Sequence, residues 1–376
     1  MRHLHYKVTI SDGVSSDILH NYGQTAPKIS NGKVAESVNE IPAFDFTVYP
    51  DNPCYGDIEP LTTSIKVHDM DKDEELFSGR VLSVTQQMNS DGLIYKDIQC
   101  NGELGYLNDT VQEGGSVTSG THTTSVMSGV LNNHNAESSI KFYNGNVEMG
   151  GFPLGVEYEW VSTFKALRYL YVECMGGEIR LRKTEDGTRY IDYAAKFENK
   201  SDTPILLGDN LQSLIVTKSA TDLITRLYPL GGVMPNGRRL TVAASGQTQG
   251  ADYIEEAELV EKYGIISGTV RFDDISGELE NMPTLALRLW RKGVNYLQTK
   301  TIDMAQYTVS VLDLSVSDDN YSQFKLYGVH KLKNKLMDID DEVRITGRVL
   351  NLDEPYRSKL TFGSKQTTLS GLLAKI

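Results

Sequence analysis

Residues 210–232, NLQSLIVTKSATDLITRLYPLGG, are the stretch from which the fold of this chain can be worked out. Apolar and polar residues roughly alternate over 211–216, and after a polar break a strand-like composition resumes at 223–228. Because period-two alternation places successive side chains on opposite faces, this predicts two half-buried strands and a turn. Pro229 and the glycine pair at 231–232 are expected to end the second strand, since proline cannot donate to a ladder and glycine frees the backbone.

The patterns on either side of this stretch differ, which predicts a chain of several domains. Residues 1–108 carry short alternating runs divided by turn residues, a pattern typical of a barrel or a sandwich, and a barrel has the advantage of leaving no open edge. Residues 109–205 introduce helices and predict an inserted α+β lobe. Residues 206–376 predict a second β domain with an embedded α+β segment at about 241–334. The fold class expected is therefore mainly β with α+β lobes.

Four helices are predicted, three of them from apolar residues at helical spacing. The first covers 125–134, and the second follows Ser162, which can cap it, and continues to about residue 174. A third covers 255–263. The fourth, 283–298, has proline in its first turn and one apolar stripe, so it is the strongest helix signal in the chain.

The charge balance limits the class of partner. Lys and Arg number 37 against 50 Asp and Glu, which gives a net charge of -13. A surface this acidic repels phosphates, so nonspecific binding to nucleic acid or to anionic lipid is not expected, although DNA can pass nearby without adhering.

The three cysteines and the N-terminus bear on the compartment. Cys54, Cys100 and Cys174 are widely spaced and form no CxxC pair, so reduced thiols are expected rather than a disulfide framework or a zinc ribbon. No apolar run approaches the roughly 20 residues of a membrane span. The opening MRHLHYKVTI lacks an apolar h-region, so no signal peptide is expected, and export would require lysis or a dedicated machine.

Possible metal ligands occur in four short groups, none of which predicts a site: His3 and His5; Asp69, Asp71, Asp73, Glu74 and Glu75; Asp273 and Asp274; Asp338, Asp340 and Asp341. A calcium loop needs glycine at its sixth position and glutamate at its twelfth, where this chain has Glu74 and Arg80. Two histidines on one strand face do not make a site. Ordinary strand, turn and hairpin positions account better for all four groups.

Catalytic motifs do not occur either. The chain contains no HExxH, GxSxG, Walker loop or GxGxxG. A cysteine nucleophile, Cys100 or Cys174 with His134 as base, stays open as an alternative. So does a carboxylate pair for glycoside hydrolysis, although no pair is marked out. The 20 tyrosines suit strands and interfaces, with a sugar-binding face as the alternative. No catalytic, cofactor or metal residue is therefore predicted.

Eight segments, spread in order along the chain, carry a family resemblance: SVNEIPAFDFTVYPDNPCYGDI, ELFSGRVLSV, KDIQCNGELGYLND, WVSTFKALRYLYVECMGGEIRLR, DLITRLYPLG, YIEEAELVEKYG, GTVRFDDIS and DEVRITGRVLNLDEPYRSKLTFG. In their order they resemble the tail-hub proteins of bacteriophages and prophages. These form the N-terminal, structural part of tail-associated lysins and prophage tail endopeptidases, and they look like the baseplate hub of contractile tails.

The resemblance implies an architecture as well as a role. It implies two β-barrel domains similar to the tail-tube protein, with α+β lobes attached, and three copies assembled into a ring of pseudo-sixfold symmetry. Such proteins often continue into a C-terminal peptidase or cell-wall hydrolase. Because this chain ends shortly after the second β domain, at residues 373–376, no catalytic residue is carried over from the family.

The function expected is that of a structural tail-tip hub in the virion, made in the bacterial cytoplasm. The expected partners are two further copies, the distal tail protein or tail tube, the tape-measure protein, and tip fibres or receptor-binding proteins, with DNA only in passage. An acidic bore would let DNA slide, and 69–75 and 338–342 are the candidate lining segments. The alternatives are a cell-wall peptidase or peptidoglycan hydrolase, and a receptor- or saccharide-binding module.

Overall fold

The computed structural model describes residues 5–152, 155–217, 223–298, 306–311 and 323–363, and the fold is mainly β. The strands are β1 Tyr6–Ser11, β2 Ser16–His20, β3 Ser30–Ser37, β4 Ala43–Val48, β5 Ser64–Asp69, β6 Glu74–Met88, β7 Ile94–Gly102, β8 Val111–Val117, β9 Phe142–Val147, β10 Val156–Ser162, β11 Glu178–Lys183, β12 Arg189–Ala194, β13 Asn199–Lys200, β14 Ile205–Leu206, β15 Leu211–Thr217, β16 Arg226–Gly231, β17 Ile254–Glu255, β18 Ser267–Phe272, β19 Gln306–Val311, β20 Gly328–Asn334, β21 Ile339–Asn351 and β22 Lys359–Gly363. The α-helices are α1 Thr123–Glu137, α2 Thr163–Leu167, α3 Ala257–Tyr263 and α4 Met282–Gln298.

The described residues fall into two compact units. The first unit lies within 1–110, 197–216 and 306–364, and the second lies within 111–196 and 217–305. The division predicted from the sequence, with limits at residues 108 and 205, stays a prediction.

One large sheet organises the first unit. Its strand order is β15-β19-β22-β21-β3-β4-β7-β6-β5-β1-β2, and β20 also pairs with β21 while accepting β13 and β14 along its other edge. The antiparallel pairing of β21 with β3, from Gly347 opposite Ser37 to Asn351 opposite Lys33, joins strands from the two ends of the chain. Among the described strands this pairing runs from β15 to β2 without closing, so the two barrels stay a prediction.

The core of the first unit follows the predicted alternation. Tyr6, Val8 and Ile10 on β1 are buried, and so are Phe44 and Phe46 on β4. These positions confirm the period-two pattern of the N-terminal region, since every second residue of a half-buried strand points to one face. Complete burial of an aromatic side chain such as Phe44 stabilises the folded state by roughly 1.5–3 kcal/mol relative to an exposed side chain.

Three small sheets and the helices make up the second unit. The sheets are β10-β8, β11-β12-β9 and β17-β16-β18. The predicted helix at 283–298 is confirmed as α4, which starts one residue earlier. Its buried face includes Leu289, Trp290 and Val294, which pack in one cluster with Leu227 and Ile275.

The segment around the second predicted helix shows how capping and glycine set its limits. Ser162 accepts a hydrogen bond from the N–H of Lys165, which confirms the predicted cap. Helix α2 then widens into a π-helical segment, Arg168–Cys174. This segment ends before Gly176, which adopts a φ of 72° without steric cost because glycine has no Cβ atom. The buried Tyr171 hydroxyl donates to the carbonyl of Thr123 at 2.5 Å, which ties this segment to α1.

The two strands predicted in the decisive stretch are present, but they lie in different sheets. β15 belongs to the large sheet of the first unit, whereas β16 is the central strand of β17-β16-β18. The predicted polar break at 217–222 lies outside the described residues except for Thr217, which is the last residue of β15.

The second strand ends at Gly231, as the glycine pair predicted, but the prediction that Pro229 helps to end it is wrong, because β16 continues through Pro229. Pro229 lies opposite Val270 of the parallel strand β18. Gly231 donates its N–H to the carbonyl of Leu240, on the side away from β18. Two residues earlier on the same strand, Pro229 has its missing donor on that same side, where β17 pairs only with the first two residues of β16. No ladder bond is therefore lost.

Acid is expected to destabilise the first unit through His20. Its Nδ1 accepts a hydrogen bond from the N–H of Ile29 at 3.2 Å, and its ring stacks on Tyr6 at 4.2 Å. Burial, with a smaller contribution from Lys28, lowers the pKa of His20 from 6.5 to about 4. The unfolded chain therefore binds a proton that the folded chain excludes, and stability falls as the pH falls from about 6.5 to about 4.

Chemical denaturation at several pH values tests this expectation. In His20→Asn, an amide oxygen can take the place of Nδ1 as the acceptor without titrating. The free energy of unfolding of this variant should fall less than that of the wild type between pH 6.5 and 4. Equal pH slopes for the two proteins would contradict the assignment to His20.

Candidate functional site

The cysteine–histidine alternative finds no support in the environment of the three side chains. His134 is fully buried, and its Nε2 donates to the carbonyl of Ile140 at 3.0 Å beside the ring of Phe142. Burial raises the pKa of Cys174 to about 11 and raises that of Cys100 further. Both thiols are thus protonated at neutral pH, whereas a cysteine nucleophile needs its pKa lowered.

The possible metal ligands take part in ordinary turn contacts. His5 Nδ1 lies 3.0 Å from Asp71 Oδ1, while His3 lies outside the described residues. Asp69 Oδ1 accepts from the N–H groups of Asp71 and Lys72 and so closes the β5–β6 turn. Within the described ranges, no three His, Cys, Asp or Glu side chains are placed to hold a metal ion.

The two acidic segments considered for a channel lining differ in exposure and pairing. In the β5–β6 turn, Asp69 is fully buried, but the side chain of Asp73 is 98% exposed and lies 2.8 Å from His68. At the β20–β21 turn, Lys333 Nζ lies 3.3 Å from Asp340, and Lys331 stands opposite Glu342. Lysines therefore offset much of the charge at 338–342, whereas the carboxylate of Asp73 is exposed to solvent.

A broad open groove of about 600 Å³ crosses the sheet of the first unit. Burial raises the pKa of Asp45 in its wall. Arg80 donates through both terminal nitrogens to Asp109 at 2.7 and 2.5 Å, so its guanidinium is already engaged. Leu61 and Leu82 expose apolar surface at the rim. The groove offers a contact surface rather than a reactive group.

An exposed tryptophan in the second unit was not singled out by the sequence patterns. Trp160 on β10 is 70% exposed and has a φ of 50°, which a bulky residue rarely adopts. Glu159 pairs with Gly114 and Val161 pairs with Gln112, so Trp160 lies opposite Glu113. On its own strand Trp160 is preceded by Glu157 and Glu159. No motif in the sequence marks Trp160.

Four polar side chains on α4 were also missed, although a signal for them exists. Arg288, Arg291, Lys292 and Asn295 are spaced i, i+3, i+4 and i+7 and therefore share one face of the helix. The apolar stripe of α4, from which the helix was predicted, lies on the opposite face. This polar face adjoins the π-helical segment, where Asn295 donates to the carbonyl of Glu173 at 2.6 Å.

No helix in the described ranges is both long and apolar enough to cross a membrane.

The sequence matches a family model, and the fold is similar to that of solved tail proteins. The model of the prophage endopeptidase tail family matches residues 199–373. A tail protein from Neisseria meningitidis MC58 is similar in fold, with a TM-score of 0.63 and 11% identity over 98% of each chain. The 43 kDa tail protein of prophage MuSo2 from Shewanella oneidensis has a TM-score of 0.61 and 14% identity, over 96% of this chain and 97% of that one.

A third solved structure broadens the comparison. The E. coli c3393 protein, described as a type VI secretion component with structural similarity to the T4 bacteriophage tail proteins gp27 and gp5, has a TM-score of 0.52 and 11% identity, over 92% of this chain and 76% of that one. No curated protein sequence matches the chain. The resemblance found in the sequence is thus confirmed: the model of the prophage endopeptidase tail family matches residues 199–373, and the chain has the fold of phage and prophage tail proteins.

Proposed function

We propose that this protein is a structural hub at the distal end of a phage or prophage tail, where three copies form a ring that caps the tail tube. The observation that carries the proposal is the tail-protein fold extending over nearly the whole chain. The relative described as similar to T4 tail proteins supports the same position in the particle. The ring would bind the tube on one side and tip components on the other.

The edges of the large sheet suggest how such a ring assembles. In the described strand order, β2 and β15 stand at the two ends of the path. Edge strands carry unpaired backbone donors and acceptors, which pair readily with another chain. Since the two edges differ, a contact between β2 of one copy and β15 of the next is heterologous, and it closes into a ring when the rotation is 120°.

The mass of the purified protein in solution tests the ring. We expect a particle of three times 41.8 kDa by light scattering, and a three-lobed ring in low-resolution images. Ile18→Lys places a charge on the β2 edge and should shift the particle towards the mass of one chain. Ile94→Lys, at a similarly exposed isoleucine on β7, is the matched control and should leave the mass unchanged.

A mass of one chain at every concentration, with or without the substitution, would contradict the trimer.

The enzymatic alternative is tested separately by incubating the protein with peptidoglycan and measuring soluble fragments. Fragment release that a single substitution abolishes would replace the hub by a hydrolase. The acidic bore, with Asp73 as its best-exposed candidate, would be refuted if the channel of an assembled ring were neutral or basic.

A saccharide-binding module is the second candidate, and Trp160 is the observation that favours it. An exposed indole offers a flat apolar face on which a sugar ring can stack, and carboxylates can accept hydrogen bonds from its hydroxyls. Glu113, Glu157 and Glu159 are exposed and have no partner among the described residues.

Fluorescence can measure such binding directly. Of the two tryptophans, Trp290 is buried, so a soluble peptidoglycan fragment added to the protein should change mainly the emission of Trp160. Trp160→Ala is expected to weaken binding to peptidoglycan at least about tenfold, the loss typical of truncating a tryptophan at the centre of a contact. Equal binding by the wild type and the variant would remove this candidate.

A further inference from the structure

The polar face of α4 borders a small cavity inside the second unit. The cavity, of about 40 Å³, lies between α4 and the π-helical segment Arg168–Cys174. Arg288, Arg291 and Lys292 line it from α4, and Glu173 and Cys174 line it from the opposite side. One water molecule needs roughly 10–15 Å³ of such space, so the cavity has room for a few waters or for one small anion.

The charge of this helix contrasts with that of the protein. The chain has a net charge of -13, yet α4 contains three cationic residues and no acidic one. Lys292 donates to Asp274 at 2.7 Å and lies 4.9 Å from the centre of the Tyr169 ring, so its charge is offset. Glu173 contributes one further negative charge. The two arginines therefore leave the cavity positive on balance.

The arginines are the unusual members of the lining. Neither Arg288 nor Arg291 has an ion-pair or hydrogen-bond partner among the described residues. The Nη1 atom of Arg291 is buried and makes no hydrogen bond. Leaving a buried donor unpaired costs roughly 1–3 kcal/mol, and more for a charged group. Such a group in a folded protein is explained by an acceptor in the site, which here is either a water molecule or an anion.

We propose that this cavity binds a small oxyanion, with Arg291 and Arg288 as the donors that hold it. The guanidinium group offers donors in a planar fork that matches the oxygens of a carboxylate or a phosphate. Asn295 completes one wall and is itself fixed by its bond to the Glu173 carbonyl. The oxyanion would link the 168–174 segment to α4 and so stabilise their packing. This proposal is independent of the hub function.

Thermal unfolding of the whole chain in sodium phosphate or sodium acetate, against sodium chloride of matched ionic strength, tests the site. We expect a saturable rise in the unfolding midpoint with at least one oxyanion and not with chloride. A rise with phosphate alone identifies a phosphate as the ligand. A rise with acetate identifies a carboxylate, as a protein side chain or C-terminus would supply it.

Arg291→Met keeps the length of the side chain but removes the donors, and it should abolish the rise. Arg238→Met, the same change at an exposed turn residue of the same unit, is the matched control and should retain it. Arg288→Met should weaken the apparent affinity several-fold. A rise that persists unchanged in Arg291→Met, or no rise with either oxyanion in the wild type, would overturn the proposal.

A second readout needs no variant. Cys174 is one of the lining residues and is partly accessible, whereas Cys54 and Cys100 are buried. Oxyanion binding should slow the alkylation of Cys174, measured by mass spectrometry at constant pH, with the same saturation as the thermal shift. An alkylation rate that does not depend on phosphate or acetate would place any bound oxyanion elsewhere and refute this site.

Discussion

Asp192→Ala is expected to destabilise the second unit by about 3 kcal/mol, the low end of the range for breaking a buried ion pair. The side chain of Asp192 is fully buried. It accepts from Arg182 at 3.1 Å, from Arg180 at 3.2 Å and from the N–H of Asn146 at 2.8 Å. Removal of the carboxylate leaves two cations without their acceptor, and the loss is moderated because both arginines are partly exposed to water.

Urea denaturation measures this loss, and Glu185→Ala is the matched control. Glu185 is an exposed acid in the turn of the same hairpin, and its removal should change the free energy of unfolding by less than about 0.5 kcal/mol. Equal effects of the two substitutions would show that the buried carboxylate does not organise the β11–β12 hairpin.

The pH dependence provides an independent check on Asp192. Burial alone would raise its pKa, but the hydrogen bonds from Arg182, Asn146 and Arg180 outweigh burial and lower it below the usual 3.8. A lowered pKa in the folded state means that the contribution to stability is complete above the unfolded value and is lost as the pH falls through the folded value. The difference between wild type and Asp192→Ala should therefore shrink below about pH 4.

Local sequence patterns predicted the helices and strands of this fold, but they did not predict which of these elements lie side by side. The stripe on α4, the cap at Ser162 and the alternation on β4 follow from short-range periodicity and hydrogen bonding, and all were predicted. The pairing of β21 with β3 joins residues more than 300 positions apart. Alternation shows which face of a strand is buried, but not which strand lies beside it.

The same distinction explains what could be predicted of the candidate sites. The family resemblance supplied no side chain for a site, because it rests on the order of many loose motifs rather than on any one residue. The cationic face of α4 can be recognised in the sequence. The cavity beside it cannot, because it forms only when α4 packs on the 168–174 segment. The left-handed backbone of Trp160 is not marked by any motif, and Pro229 remains in a strand because its neighbour β17 is short.

Gly79→Ala is the second large effect, and we expect it to destabilise the first unit by at least about 3 kcal/mol, the upper end of the range for overpacking. Gly79 on β6 pairs with Gly102 on β7 and lies inside the large sheet. A Cβ atom built on Gly79 would lie 2.0 Å from the carbonyl oxygen of Asn101 and 2.9 Å from the Cα of Gly102. These are backbone atoms, so no change of rotamer relieves the clash and the two strands must separate.

Gly129→Ala, the same substitution in the second unit, should act in the opposite direction. Gly129 is exposed within α1, and a Cβ there would meet no atom within 4 Å, so alanine should stabilise the helix by about 1 kcal/mol. Urea denaturation of both variants compares the two effects of one added methyl group. If Gly79→Ala were as stable as the wild type, β6 and β7 could not be packed backbone to backbone at this point, and the strand order on which the edge-to-edge ring depends would be incorrect.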